Sequence, residues 1–203
     1  MEQINEQNPV TTQEPVVTPP EFNPVVARPT LGFKEAVKIC WSKYADFTGR
    51  ARRSEYWWFY LFTFLVMLLP ILVIIFSALI GAVSGGDDIP TGWLIPIIIA
   101  AIVLFVMMLV FLVPTLAVQT RRLHDTGRSG WWIVANYAIS FVASFVRAIL
   151  LDFNDFAGTS KGAIAVCVLL YLINLGIGIA IFVFTLLDSH KGENQYGPSP
   201  KYQ

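Results

Sequence analysis

Arg121, Arg122, His124, Asp125 and Arg128 fall within eight consecutive residues of the stretch Arg121-Arg122-Leu123-His124-Asp125-Thr126-Gly127-Arg128-Ser129-Gly130-Trp131-Trp132. Guanidinium forks beside a turn suit a phosphate or a carboxylate, because they offer permanent charge and paired N–H donors. Gly127 and Gly130 allow tight turns. Ser129 can cap a helix that starts after it, and the free N–H groups there would face the same anion. Asp125 points to a partly internal role. It would pair with a local arginine or with one from a second basic stretch, Gly49-Arg50-Ala51-Arg52-Arg53-Ser54-Glu55. Glu55 and Asp188, at other helix ends, are expected to pair with Arg122 or Arg128. The result would be a rim of interlocked ion pairs that either fixes helix order or holds anionic lipid headgroups.

Other chemistries fit less well. Gly127-Arg128-Ser129-Gly130 has the serine-between-glycines form found in intramembrane proteases. That chemistry needs the serine inside a helix bundle with a histidine in hydrogen-bond reach, and Ser129 is expected in an interfacial loop. His124, Asp125, Asp188, His190 and Glu193 show no compact ligand spacing such as His-x-x-x-His. Cys40 and Cys167 form no Cys-x-x-Cys pair, so they read as two buried or interfacial thiols. No enzymatic activity, metal or cofactor is expected, and nucleic acid is not an expected partner.

The elements that must position the rim follow from composition. Of 203 residues, 55% are hydrophobic and only 14% charged, against about a quarter charged in soluble domains. The apolar residues collect into four runs, at about 56–83, 93–118, 131–151 and 163–187. Each is long enough for a hydrocarbon core that needs roughly 20 helical residues. The expected fold is all-α, a polytopic membrane protein with four transmembrane helices. Pro70 should kink the first, while Pro96 lies near the start of the second and Pro114 near its end. Before them, Phe33, Val37, Cys40, Trp41 and Tyr44 share one helical face over 31–46. This predicts an amphipathic interfacial helix, with Thr30 as its N-cap, docking on the helix ends being the alternative placement. Gly49 is expected to end it, and Ser54 to cap the first span. Residues 1–29 are Pro-rich and expected to be disordered, with no h-region of a signal peptide. Residues 30–198 form the membrane domain, and 199–203 a short tail.

Lysine and arginine placement sets topology. Arg28, Lys34, Lys38, Lys43, Arg50, Arg52 and Arg53 precede the first span. Arg121, Arg122 and Arg128 lie between the second and third, and Lys191 and Lys201 follow the fourth. Only Lys161 falls on the other side, so both termini are expected in the cytoplasm. Trp41, Trp57, Trp58, Trp131 and Trp132 then form an inner aromatic belt.

Within the spans, Asn136, Ser140, Ser144 and Arg147 share a face of the third helix. Cys167, Tyr171, Asn174 and Gly178 share one on the fourth. Counting inward from each end sets Ser140 near Asn174 and Ser144 near Tyr171. Such groups either glue the helices, at on the order of 1 kcal/mol per bond, or line a polar path. Arg147 is the charge inside a span, and snorkelling toward Asp152 and Asp155 accounts for it.

Three stretches carry a family resemblance. They are Phe47-Thr48-Gly49-Arg50-Ala51-Arg52-Arg53-Ser54-Glu55-Tyr56-Trp57-Trp58-Phe59, the Arg121 to Trp132 stretch, and Asn194-Gln195-Tyr196-Gly197-Pro198. Together they resemble the bacterial inner-membrane family called domain of unknown function 805, the YhaH-type proteins. The resemblance covers residues 33–198 and leaves out the Pro-rich tail. It implies a small multi-pass protein of the bacterial cytoplasmic membrane and supplies no catalytic residues. The residues support a binding or scaffold protein whose rim contacts anionic lipid or a membrane partner. A small transporter or channel subunit is the alternative. Neither a protein partner nor an oligomeric state is legible.

Overall fold

A computed structural model describes residues 26–84, 91–152 and 161–202. The Pro-rich segment up to residue 25, the acidic turn at 85–90 and most of the loop at 152–161 lie outside the described residues.

The described residues form five α-helices: α1 (Phe33–Ser42), α2 (Arg53–Ser84), α3 (Thr91–Asp125), α4 (Trp131–Arg147) and α5 (Lys161–Leu186). A π-helical turn, Ala148–Asp152, extends α4. Helices α2 to α5 are the four membrane spans, each long and apolar enough to cross a bilayer. Their outer surfaces are covered with exposed Leu, Ile, Val and Phe, for example Leu69, Ile98, Phe141 and Leu172. That inversion of soluble packing is what lipid as a solvent requires.

The spans form two hairpins. α2 packs along α3, and α4 along α5. The hairpins meet near one end, where Leu123 of α3, Ile133 of α4 and Ile181 of α5 build a buried cluster with Leu116 and Ile177. Trp57 of α2 reaches Phe182 of α5 at 6.0 Å between ring centroids. The charged rim lies at this same end.

Helix α1 docks on the α2–α3 hairpin through its aromatic face. Phe33 meets Trp58 and Phe62 edge-on, and Trp41 meets Phe59 and Phe111. Cys40 is fully buried between them, while Lys34 and Lys38 face outward. The helix is thus docked on the hairpin with its lysines on the outer side. Its N-cap is Gly32, so Thr30 does not cap it.

Tyr44 explains why α1 sits where it does. Its hydroxyl donates to the Val110 carbonyl at 2.6 Å. Pro114 stands four residues after Val110 and has no N–H, so that carbonyl has lost its helical partner. In a membrane span an orphaned carbonyl must be satisfied from a neighbour, and Tyr44 supplies the donor. Pro70 lies within one continuous α2, buried against α3.

Three expected boundaries shift. Helix α1 ends at Ser42, so Gly49 is not its cap. Gly49 adopts φ +74° within the loop to α2. The N–H of Tyr56 donates to the Arg52 carbonyl, which places the cap of α2 at Arg52. The Ser54 hydroxyl instead accepts the N–H of Leu31. Most consequentially, α3 runs through Asp125. Arg121, Arg122, His124 and Asp125 are therefore helical, on fixed faces of a rigid element, and not in a loop.

Candidate functional site

The end of α3 is closed by glycine chemistry. Gly127 takes φ +74°. Its N–H donates to the His124 carbonyl at 3.0 Å, and the Arg128 N–H donates to Leu123 at 2.9 Å. This pair of bonds is a Schellman cap, which needs a residue tolerant of the left-handed conformation. Gly130 meets a different demand. A Cβ there would lie 2.7 Å from Thr120 Cγ2, so only glycine lets the loop press against α3. The N-cap of α4 is Gly130, with no side-chain cap, so Ser129 does not cap it; its hydroxyl accepts the Trp131 N–H at 3.3 Å from one residue further out.

The sharp return of the chain turns α3's last residues toward three other segments. Asp125 is the hub. Its Oδ1 accepts Arg50 Nε at 3.0 Å, and its Oδ2 accepts Arg122 Nη1 at 2.5 Å. The Ser189 hydroxyl also donates to Oδ2. All three charged side chains are at most 1% exposed. Both arginine sources foreseen for Asp125, the local one and the hinge one, are used at once. One carboxylate facing two guanidiniums would leave net charge in a dry site, so the remaining N–H groups are spent on carbonyls. Arg122 donates to the carbonyls of Thr185, Ala51 and Leu187. Arg50 donates to those of His190, Gly192 and Gly197.

Arg50 therefore ties the segment after α5 to the end of α3. A second clasp reinforces it. The His124 ring stacks on Tyr196 with centroids 3.7 Å apart, and Asn194 donates to the His124 carbonyl. His124 Nδ1 also lies 3.2 Å from the Gly49 carbonyl. The Asn194 to Pro198 motif is thus a docking piece for the rim. Its function could not be seen in sequence, because its partner lies 70 residues away.

Glu55 pairs with Arg121, not with Arg122 or Arg128. Arg121 Nη1 is 2.9 Å from Glu55 Oε1, both side chains being buried. Among the described residues no Arg121 N–H meets an acceptor at a hydrogen-bonding angle, so this contact works mainly through charge. Cys40 Sγ lies 3.9 Å from the same carboxylate oxygen. Burial, then the Glu55 charge, pushes the Cys40 thiol up to about 12, so it stays protonated and inert.

Asp188 also departs from expectation. It pairs with Arg53 at 3.1 Å and with Lys201 at 2.6 Å. The Tyr202 hydroxyl donates to it as well. The hydrogen bond from Lys201, and then that from Tyr202, holds the Asp188 carboxyl well below the usual carboxylate range. Arg128 has no carboxylate within ion-pair distance among the described residues. Its guanidinium lies over the Phe184 ring, 4.6 Å from the centroid. Arg52 donates to the Pro29 carbonyl at 2.9 Å. Residues 27–29, expected to belong to a disordered tail, are instead bonded to the start of α2 and to the segment after α5. The Arg28 N–H donates to Lys201 at 2.7 Å, beside an antiparallel bridge of Ala27 with Tyr202.

Deeper in the bundle, Asn174 donates to Ser140 at 2.5 Å and to the Asn136 carbonyl at 3.4 Å. The Ser140 hydroxyl donates to that carbonyl at 2.8 Å. The expected Ser140–Asn174 meeting is therefore present. Ser144 and Tyr171 are both exposed, with no bond between them among the described residues. Arg147 ends α4 at the opposite end from the rim and is engaged there. No three His, Cys, Asp or Glu side chains converge among the described residues.

Residues 44–198 match the family model described as "Protein of unknown function (DUF805)". The chain is 34% identical over 165 residues to "Inner membrane protein YhaH" of Escherichia coli (strain K12), spanning 79% of this chain and 91% of that one. It is also 34% identical over 118 residues to "Inner membrane protein YhaI" of the same strain, spanning 58% and 80%. No solved structure matches.

Proposed function

We propose, for a chain that belongs to the DUF805 family of inner-membrane proteins, a binding or scaffold role at the inner leaflet. In this reading the basic end faces the cytoplasm, as the lysine and arginine distribution favours. Its outward cations hold anionic lipid headgroups. The observation that carries this is the division of the rim into two layers. Arg50, Arg121 and Arg122 are buried against Asp125 and Glu55, and carbonyls take remaining donors of Arg50 and Arg122. Lys34, Lys38, Lys43 and Arg128 stay exposed at the same end. Exposed Trp58, Trp131 and Trp132 accompany them, at the level where amphipathic rings settle. The inner layer fixes the helix ends, and the outer layer is free to meet phosphate at roughly 1 kcal/mol per cation near an anionic surface.

The polar faces of α4 and α5 give the transporter alternative less support. Ser140 and Asn174 bond locally to each other and to the Asn136 carbonyl, joining the two helices. The test is native mass spectrometry of the full chain from mild detergent, with an Arg128→Gln, Lys38→Gln variant beside the wild type. Loss of retained phosphatidylglycerol in the folded variant is the expected result, and equal retention overturns the reading. Reporter fusions at each terminus check the orientation, with cytoplasmic signals expected from both.

A further inference from the structure

Residues 28–30 and Lys201 join the start of α2 in a second basic feature, beside the buried pairs of Asp125 and Glu55. A cavity of about 100 Å³ lies between the first described residues, the start of α2 and the last residues of the chain. Arg28, Arg52, Arg53 and Lys201 line it, with Ser54 and Ser189. Four cations in so small a space repel one another. They are held there by covalent and backbone geometry. Arg28 and Lys201 are locked side by side by the bond from the Arg28 N–H to the Lys201 carbonyl. Arg52 and Arg53 are consecutive, and the Arg52–Pro29 bond draws the former toward the same strand.

Asp188 is the carboxylate that meets this group, through Arg53 and Lys201. Arg28 and Arg52 have no carboxylate within ion-pair distance among the described residues. Burial, and next the neighbouring Arg28 charge, holds the Arg52 guanidinium below its ordinary pKa. Four cations thus line the cavity with one carboxylate in direct contact, while Glu55 and Glu35 act on Arg52 from beyond ion-pair distance. The first turn of α2, whose N–H groups have no helical acceptor, adds positive potential.

We infer that this cavity binds a phosphate dianion, carried on a phosphomonoester headgroup or free in solution. The inference rests on the reading of the basic end as an anion-binding surface, and it names a particular site within it. The charge fits, since a dianion answers most of the excess. So does the chemistry, since guanidinium forks and an ammonium are the usual phosphate donors. The volume fits as well. It is several times the roughly 30 Å³ share of a water and below the roughly 300 Å³ of pockets for larger ligands. Arg28 and Lys201 lie outside the residues that match the family model, 44–198. The site therefore joins a family element, the start of α2, to flanking segments of this chain.

The test uses the full chain in an uncharged detergent. Inorganic phosphate is titrated calorimetrically, and phosphatidic acid is offered in phosphatidylcholine mixed micelles and read by native mass spectrometry. The variant is Arg28→Gln, Lys201→Gln. Arg28→Gln alone carries the test should the double variant fail to fold, because the Arg28 side chain has no partner among the described residues. A loss of about tenfold or more in phosphate affinity supports the site with free phosphate as sufficient ligand. Binding of phosphatidic acid but not inorganic phosphate by the wild type, lost in the variant, supports the site with the lipid as its source. Equal behaviour of wild type and variant toward both probes overturns the site. It does so whether or not the Arg128→Gln, Lys38→Gln variant loses phosphatidylglycerol, so the two readings fail separately.

Discussion

Replacing Asp125 with asparagine removes the carboxylate that two buried guanidiniums share. The amide keeps one carbonyl oxygen, which can still meet either Arg50 on one side or Arg122 with Ser189 on the other, but not both sides. The other side of the amide presents N–H groups to N–H groups. Two cations at most 1% exposed would then share a dry site without a counter-charge. Breaking a buried pair in this way costs about 3–5 kcal/mol. Asp188→Asn supplies the internal comparison. The Arg53–Asp188 side chains are 45% and 47% exposed, where such pairs contribute about 0–1 kcal/mol. At roughly 2–4 °C per kcal/mol for a chain of this size, the first change lowers the melting temperature by about 6–20 °C and the second by a few degrees at most. Thermal unfolding in detergent, followed by tryptophan fluorescence, measures both. Limited proteolysis gives a second readout. Loosening of Arg50 should expose the segment at 188–202, which it holds through three carbonyls. A melting shift for Asp125→Asn no larger than that for Asp188→Asn would refute the hub. Strict additivity of Asp125→Asn with Arg122→Met would refute it too, since residues in one network should couple.

Three further outcomes follow from the same geometry. Tyr44→Phe leaves the Val110 carbonyl unpaired inside the membrane. It should cost about 1–3 kcal/mol in thermal stability, whereas no loss would mean that the Pro114 gap is filled another way. Gly130→Ala sets a methyl 2.7 Å from Thr120 Cγ2 and should destabilise by about 1–3 kcal/mol. Thr120→Ser, which deletes that methyl, should restore most of the loss, and failure of this rescue removes the steric explanation. The pH dependence has a definite sign. Because its folded pKa is depressed, Asp188 contributes stability that is complete above the ordinary carboxylate value near 3.9. That contribution is lost as pH falls through the lower folded value, so acid should release the C-terminal segment to protease before the spans unfold. Release on raising the pH from 5 to 8 would contradict it.

What could be read before any tertiary contact was known is the part of this protein that adds residue by residue. Transfer of side chains into hydrocarbon is nearly local, so four apolar runs announce four helices. The Lys and Arg asymmetry likewise singles out one end from counts alone. The aromatic face of α1 and the Ser140–Asn174 contact were also legible, because helical periodicity and antiparallel counting place residues without a fold. The pairing of charges was not. Glu55 takes Arg121, and Asp188 takes Arg53 and Lys201. Which cation reaches a carboxylate depends on the rotation of each helix and on where α3 ends. The extension of α3 to Asp125 turned four supposed loop residues into helical ones and pointed three of them inward. Tyr44 and Pro114 were both plain in the sequence. Their bond was not, since the docking of α1 on α3 brings together residues 66 positions apart. The cationic cavity is the same case: Arg28 and Lys201 lie near opposite ends of the chain, and only a backbone bond between those ends makes them neighbours. Solvation is a property of segments, and the sequence states it directly. Electrostatic partnership is a property of distance, and the packed helices alone decide it.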